Sequence, residues 1–372
     1  MRIVYFSRDY TTHDRRFLSK LAESGHTVWY LRLEDDGVLY EQRPLPSGIH
    51  EVEWPGGKGS ACRLEDWLRL VPALERVIRD IRPDLVHAGP VQSCGFMTAL
   101  TGFHPLMVMS WGSDILVDAD SSELWSWLTR YTLDRSDMLV CDCQAVRVKV
   151  QQLATYADDG IVQFPWGVDL RQFAPGPDVL RLHEKPGWEG SFIILSTRAW
   201  EPIHGIDVLL SAFRQAHTSN KDLRLVLLGS GSQAEQIDQF IVDNDLQDVV
   251  YRPGQMPHLN LPDLFRAVDL FVSCTYSDGT SISLLEALAT GLPVVVTDAF
   301  GNREWVLPVE NGWLATAGDA GAFAHALLEA AGSDISGRKR MSALNRCIAE
   351  ERANWDRNFP KLLDAYERLG EQ

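Results

Sequence analysis

Short apolar runs of strand length alternate with longer segments of helical period through both halves of this sequence. That alternation limits the possible folds more than any other feature. In the first half, residues 2–6, 27–33, 84–87, 106–109 and 138–141 have the composition of buried strands. Helical patterns lie between them at 14–24, 64–81 and 124–133; the second of these carries Leu64, Leu68, Val71, Leu74, Val77, Ile78 and Ile81. The second half repeats the rhythm with strand candidates at 192–196, 223–228, 249–252, 270–272 and 293–297, and a helix at 206–216. Such repetition predicts an α/β protein with parallel, doubly wound sheets. A length of 372 residues suits two domains. The stretch 171–190 contains Pro175, Gly176, Pro177, Pro186 and Gly187 and is expected to be the linker. The domains are then 1–170 and 191–349, with a C-terminal helix over about 350–372 able to pack back on the first.

Charge narrows the function classes. The formal net charge is −16, and both halves carry more acid than base. Phosphate-backbone binding needs a basic face, so a dedicated nucleic-acid binder is not expected. No run reaches the roughly 18 apolar residues of a membrane span, and the N-terminus lacks the apolar core of a signal peptide. The six cysteines (62, 94, 141, 143, 274 and 347) show no C-x-x-C pair, so buried reduced thiols in a cytoplasmic protein are expected, not zinc ligands.

In doubly wound sheets, ligands sit beyond the carboxyl ends of the strands. The loop 7–13 lacks G-x-G-x-x-G, and Gly229-Ser230-Gly231 is not completed by a third glycine, which argues against a dinucleotide dehydrogenase. The most informative stretch is 273–298, SCTYSDGTSISLLEALATGLPVVVTD. Here a loop rich in Asp, Gly, Thr and Ser enters a helix near Ser281. A helix start presents unpaired N–H groups and partial positive charge, which suits a phosphate. Gly279 permits close backbone approach, and Glu286 follows inside the helix as either a surface charge or a ligand group.

Several spaced motifs resemble family 4 of the retaining GT-B glycosyltransferases. Asp278-x7-Glu286 is similar to that family's Glu-x7-Glu motif, followed by Ala289-Thr290-Gly291-Leu292-Pro293-Val294. Pro165-Trp166-Gly167-Val168-Asp169, Arg198 with His204-Gly205, Gly301-Asn302-Arg303-Glu304 and Asn311-Gly312 match further segments, as do Gly25-His26-Thr27-Val28 and Asp84-Leu85-Val86-His87. The resemblance implies a GT-B fold, two Rossmann-like domains facing an interdomain cleft. It implies transfer of a sugar from a nucleotide-diphosphate sugar, UDP- before GDP-, to a hydroxyl of a glycan, lipid-linked or small-molecule acceptor. Configuration would be retained, with no cofactor and no metal. Arg198 would hold the diphosphate, Glu286 the ribose hydroxyls and Asp278 the sugar hydroxyls. The amides of Gly279, Thr280 and Ser281 would meet phosphate and sugar. A guanidinium suits this task because its fork engages phosphate in two parallel hydrogen bonds.

Three departures stand out. Asp278 replaces the family's usual Glu, and His204 replaces its diphosphate lysine, giving a group whose charge depends on its surroundings. Where members often place a histidine near the sugar, this chain reads Ser110-Trp111-Gly112-Ser113-Asp114; Asp114 is expected either as a substitute polar contact or as a loop cap. His87, Trp111 and His13 are further candidates for sugar, phosphate or acceptor contacts, with structural roles, core packing in the case of Trp111, as the alternatives. Asp118-x-Asp120 is not expected to bind metal. The helix 64–81 carries Arg69, Arg76 and Arg79 beside Trp67, with Arg82 just beyond, so peripheral contact with a lipid-linked acceptor is a secondary expectation. Two other functions stay open: an epimerase or phosphorylase of the same fold, and a non-catalytic nucleotide-sugar binding protein.

Overall fold

The structure, a computed structural model, describes residues 1–35, 37, 41, 43–157 and 159–371. The chain divides into two compact units, one of residues 1–164 with 358–372 and one of residues 165–357.

The first unit is built on a seven-stranded sheet: β1 (Arg2–Ser7), β2 (Thr27–Arg32), β3 (Ile49–Glu51), β4 (Leu85–Gly89), β5 (Leu106–Met109), β6 (Met138–Cys141) and β7 (Ile161–Gln163). Their order is β3-β2-β1-β4-β5-β6-β7, and every pairing is parallel. Ile3, Val4, Tyr5 and Phe6 are all buried, as a strand covered on both faces requires. Thr11 starts the helix Thr12–Glu23 through a capping box with Asp14. The long helix Leu64–Ile81 lies where its apolar period predicts it. Its Trp67 does not line a membrane-facing surface: the indole is buried, donates to Ala61 O at 2.5 Å and meets Trp125 edge-on. Among the described residues, no helix is long and apolar enough to cross a membrane.

The second unit repeats the plan with β8 (Phe192–Ser196), β9 (Leu223–Leu228), β10 (Val250–Gly254), β11 (Leu270–Ser273), β12 (Val294–Thr297) and β13 (Gly312–Ala315), all parallel in the order β10-β9-β8-β11-β12-β13. In local numbering this is 3-2-1-4-5-6, the Rossmann order. Strand order reverses between β8 and β11, the place at whose carboxyl ends doubly wound sheets bind ligands.

The segment 171–190 is not a detached linker. It belongs to the second unit, where Phe173 and Trp188 are buried among Ile193, Leu195, Phe265 and Phe271. Its prolines and glycines mark turns between two aromatic anchors. The chain leaves the first unit after Phe164 and returns at Asn358. The helix Ile335–Arg352 stays with the second unit, and Pro360–Gly370 with the first.

Candidate functional site

Arg198 and Asp278 come from the loops that follow β8 and β11, the two strands flanking the order reversal, and they meet. Asp278 Oδ2 lies 2.9 Å from Arg198 Nη2, with both side chains largely sheltered. Arg198 Nη1 donates to Ser281 Oγ at 3.0 Å and to Ser283 Oγ at 3.4 Å, and Nη2 donates to His204 Nδ1 at 3.0 Å. The guanidinium is therefore oriented by four side chains before any ligand arrives.

Local backbone geometry explains the convergence. Gly205 has φ +60°, and a Cβ there would collide with Cys274 O, so the β8 loop rests directly on the β11 loop. At Gly301 a Cβ would collide with Gly279 O, so the loop after β12 closes on Asp278–Gly279 from the other side. Thr280 and Ser281 are buried. Ser281 caps the helix Ile282–Thr290, its Oγ accepting from Leu284 N. Four buried polar atoms near the same strand ends have no hydrogen-bond partner among the described residues: Ser196 Oγ, Thr197 Oγ1, Arg198 Nε and Ser273 Oγ. Buried polar groups are normally paired, so this concentration makes the spot a candidate ligand site.

The surroundings of His204 decide the charge that the sequence leaves open. Burial, and then the neighbouring Arg198 charge, push its pKa down to about 3. Because Arg198 can only donate, Nδ1 must accept, and Thr275 Oγ1 lies 3.0 Å from that same nitrogen. The ring is a neutral imidazole with its proton on Nε2. We therefore expect kcat/KM to owe nothing to His204 titration between pH 6 and 8. An activity gain on acidification that disappears in His204→Gln would overturn this assignment.

Glu286 is buried within its helix, and Oε1 accepts from His258 Nε2 at 2.8 Å. Sequence reading missed Ser283, Thr275 and His258. The first two lie inside the informative stretch, but His258 is 28 residues from its partner and had no local signal.

The first-unit candidates separate into two groups. His87 is fully buried on β4, with Nδ1 2.5 Å from Tyr366 Oη and its ring edge-on to Tyr5; burial pushes its pKa down to about 3. It is a neutral, buried histidine that seats the C-terminal helix through Tyr366. Asp114 is likewise enclosed. Its Oδ1 accepts from Ser110 Oγ (2.6 Å), Trp111 N (3.1 Å) and Ile115 N (3.1 Å), and its Oδ2 from Val91 N (3.2 Å). Asp114 is thus the loop cap, and burial outweighs these donors to push its pKa up to about 6. His13 and Trp111 stay partly open at the carboxyl end of the sheet, with ring centroids 5.5 Å apart. Among the described residues, no group of three or more His, Cys, Asp or Glu could hold a metal ion.

Two family models match the chain. "Glycosyl transferases group 1" covers residues 178–346, and "Glycosyl transferase 4-like" covers residues 2–143. The D-inositol 3-phosphate glycosyltransferase of Pseudarthrobacter chlorophenolicus is 29% identical over 209 residues, 54% of this chain and 49% of that one. The chain spans only 38% to 49% of the length of the first four curated relatives it matches. Solved structures align over the whole chain. Sucrose-phosphate synthase from Thermosynechococcus elongatus gives a TM-score of 0.82 at 17% identity, covering 99% of each chain. HepE of Anabaena in complex with UDP-glucose gives 0.80 at 20% identity, covering 99% of this chain and 100% of that one. The fold is GT-B, and the matches together support a place among the glycosyltransferases of that fold.

Proposed function

We propose that this chain is a retaining glycosyltransferase moving a sugar from a nucleotide-diphosphate sugar, UDP- before GDP-, to an acceptor hydroxyl of a glycan, lipid-linked or small-molecule acceptor. The observation that carries the reading is the preset Arg198, aimed by Asp278, His204, Ser281 and Ser283 at a helix start where unpaired polar atoms gather. Glycosyl transfer builds positive charge on the sugar and negative charge on the departing diphosphate. Arg198 would take up the leaving charge, with the amides after Ser281 and the neutral Nε2–H of His204 as further donors. Arriving diphosphate would draw the Arg198 fork from Asp278, freeing that carboxylate to accept from sugar hydroxyls. Glu286 would accept from the ribose. His13 and Trp111 are the first-unit residues assigned to acceptor recognition. The leaving phosphate would take the acceptor proton, so the reaction calls for no protein base. The proposed compartment is the cytoplasm, in keeping with six unpaired cysteines.

The test begins with a thermal-shift screen of UDP-, GDP- and dTDP-sugars. Mass-spectrometric acceptor profiling and an NMR assignment of the product anomer follow. Transfer with retention, unaffected by EDTA, is the expected result. An inverted product, or activity lost to EDTA and restored by a divalent cation, contradicts the mechanism. Epimerised donor without acceptor, use of free phosphate, or binding without turnover would each select one of the other functions.

A further inference from the structure

Glu286 is a carboxylate in an apolar helix, between Leu285 and Ala287, and its side chain is only 5% exposed. Acidic groups are seldom buried without a partner. The partner here is His258, on the short 3-10 turn His258–Asn260 that follows β10, with Nε2 2.8 Å from Glu286 Oε1. His258 is itself wedged. Its ring centroid lies 5.4 Å from that of Phe173, which is buried and edge-on to Phe265.

Phe173 is held in turn by two arginines. Arg266 Nη2 donates to Gln172 O (2.8 Å) and its Nε to Ala174 O (2.9 Å), on either side of Phe173. Arg346 Nη1 donates to Phe173 O and to Ala289 O, both at 2.8 Å. Because Ala289 belongs to the same helix as Glu286, Arg346 ties the aromatic wedge to the helix that carries the carboxylate. His258 is thereby fixed between them.

We propose that His258 is the positioning residue of Glu286, and that this pair makes the site select a ribonucleotide donor over its 2′-deoxy counterpart. The inference rests on the donor site proposed above. With Oε1 engaged by His258, the carboxylate is held in one orientation, which leaves Oε2 to accept from the ribose of a bound donor. A buried carboxylate aimed at two hydroxyls rejects a ligand that lacks one, because an acceptor is then left unpaired. Without the His258 N–H, Glu286 is free to rotate and the selection is lost.

Calorimetric affinities for UDP and 2′-deoxy-UDP, repeated with GDP and 2′-deoxy-GDP, test this. The unaltered protein is expected to favour the ribonucleotide by at least about tenfold. His258→Leu, which keeps volume against Phe173, is expected to bring the ratio to within about twofold. His258→Gln, whose amide can donate from the same place, is expected to preserve it. Should the leucine variant not fold, His258→Asn, too short to reach Glu286, gives the same reading. A variant that weakens both nucleotides equally and leaves the ratio unchanged would show a merely structural histidine and overturn the proposal. If the unaltered protein binds no nucleotide, the donor site fails and the inference with it; if it binds but does not discriminate, only the inference fails.

Discussion

Arg198→Ala is expected to lower the transfer rate by on the order of 10²- to 10³-fold, the usual loss when one preorganised donor to a developing anion is removed. The variant should also weaken nucleotide-diphosphate binding. Asp278 makes the effect more than a simple deletion, because its carboxylate, 18% exposed, loses the only cation within ion-pair distance among the described residues. Removing one member of a sheltered pair is harsher than removing both. We therefore expect Arg198→Ala to cost about 1–2 kcal/mol of stability, discounted for partial exposure, and Arg198→Ala with Asp278→Ala to cost less. Arg198→Lys keeps the charge but cannot span Ser281, Ser283 and His204 at once, so its activity should fall between those of the unaltered protein and Arg198→Ala. Steady-state kinetics, nucleotide calorimetry and thermal melts measure these effects. Unchanged rate and unchanged affinity in Arg198→Ala would show that the diphosphate site lies elsewhere.

How much of this was legible in the sequence depends on whether the signal was local. Central strands announce themselves because burial on both faces demands continuous apolar runs; Phe192–Ser196 and Leu223–Leu228 fall where their runs are. The edge strands β3, β7 and β13 did not, being three or four residues long; β3 reads Ile-His-Glu and is half exposed. The loop and helix start at 278–286 were readable because capping and phosphate binding use the same residues. His258 was not, since its meaning comes from Glu286 and Phe173, both distant in sequence. Proline and glycine misled at 171–190, where they punctuate turns around Phe173 and Trp188; only tertiary packing distinguishes that from a hinge. The histidines misled for a related reason: the end of a strand can point to a ligand or to the core, and the sequence is silent on which.

Asp114→Ala is expected to unfold the first unit more readily while leaving donor affinity in the second unaltered. One carboxylate gathers Ser110 Oγ and the amides of Trp111, Ile115 and Val91; Ile115 N keeps Gly112 O at 3.1 Å, so loss of the carboxylate strands three donors on two loops. Each buried unsatisfied group costs roughly 1–3 kcal/mol, and partial relaxation makes the sum less than additive. A loss of about 3 kcal/mol, or on the order of 10 °C in Tm, follows for a unit of this size. The pH dependence supplies an independent sign. Burial raises Asp114 from its ordinary 3.8 to about 6, so between those values the folded state holds a proton that the unfolded state has released. Its contribution is complete below pH 3.8 and is lost as pH rises through 6, a difference of roughly 3 kcal/mol. Asp114→Asn cannot titrate, so the stability gap between the unaltered protein and this variant should be wider at pH 4 than at pH 7. His87 and His204 act with the opposite sign in the unaltered protein, being held neutral to about pH 3, but they are common to both proteins and cancel in the comparison. Denaturant unfolding at the two pH values reads the gap directly. If Asp114→Ala instead abolished transfer with no change in Tm, the carboxylate would be a substrate contact and not the cap of its loop.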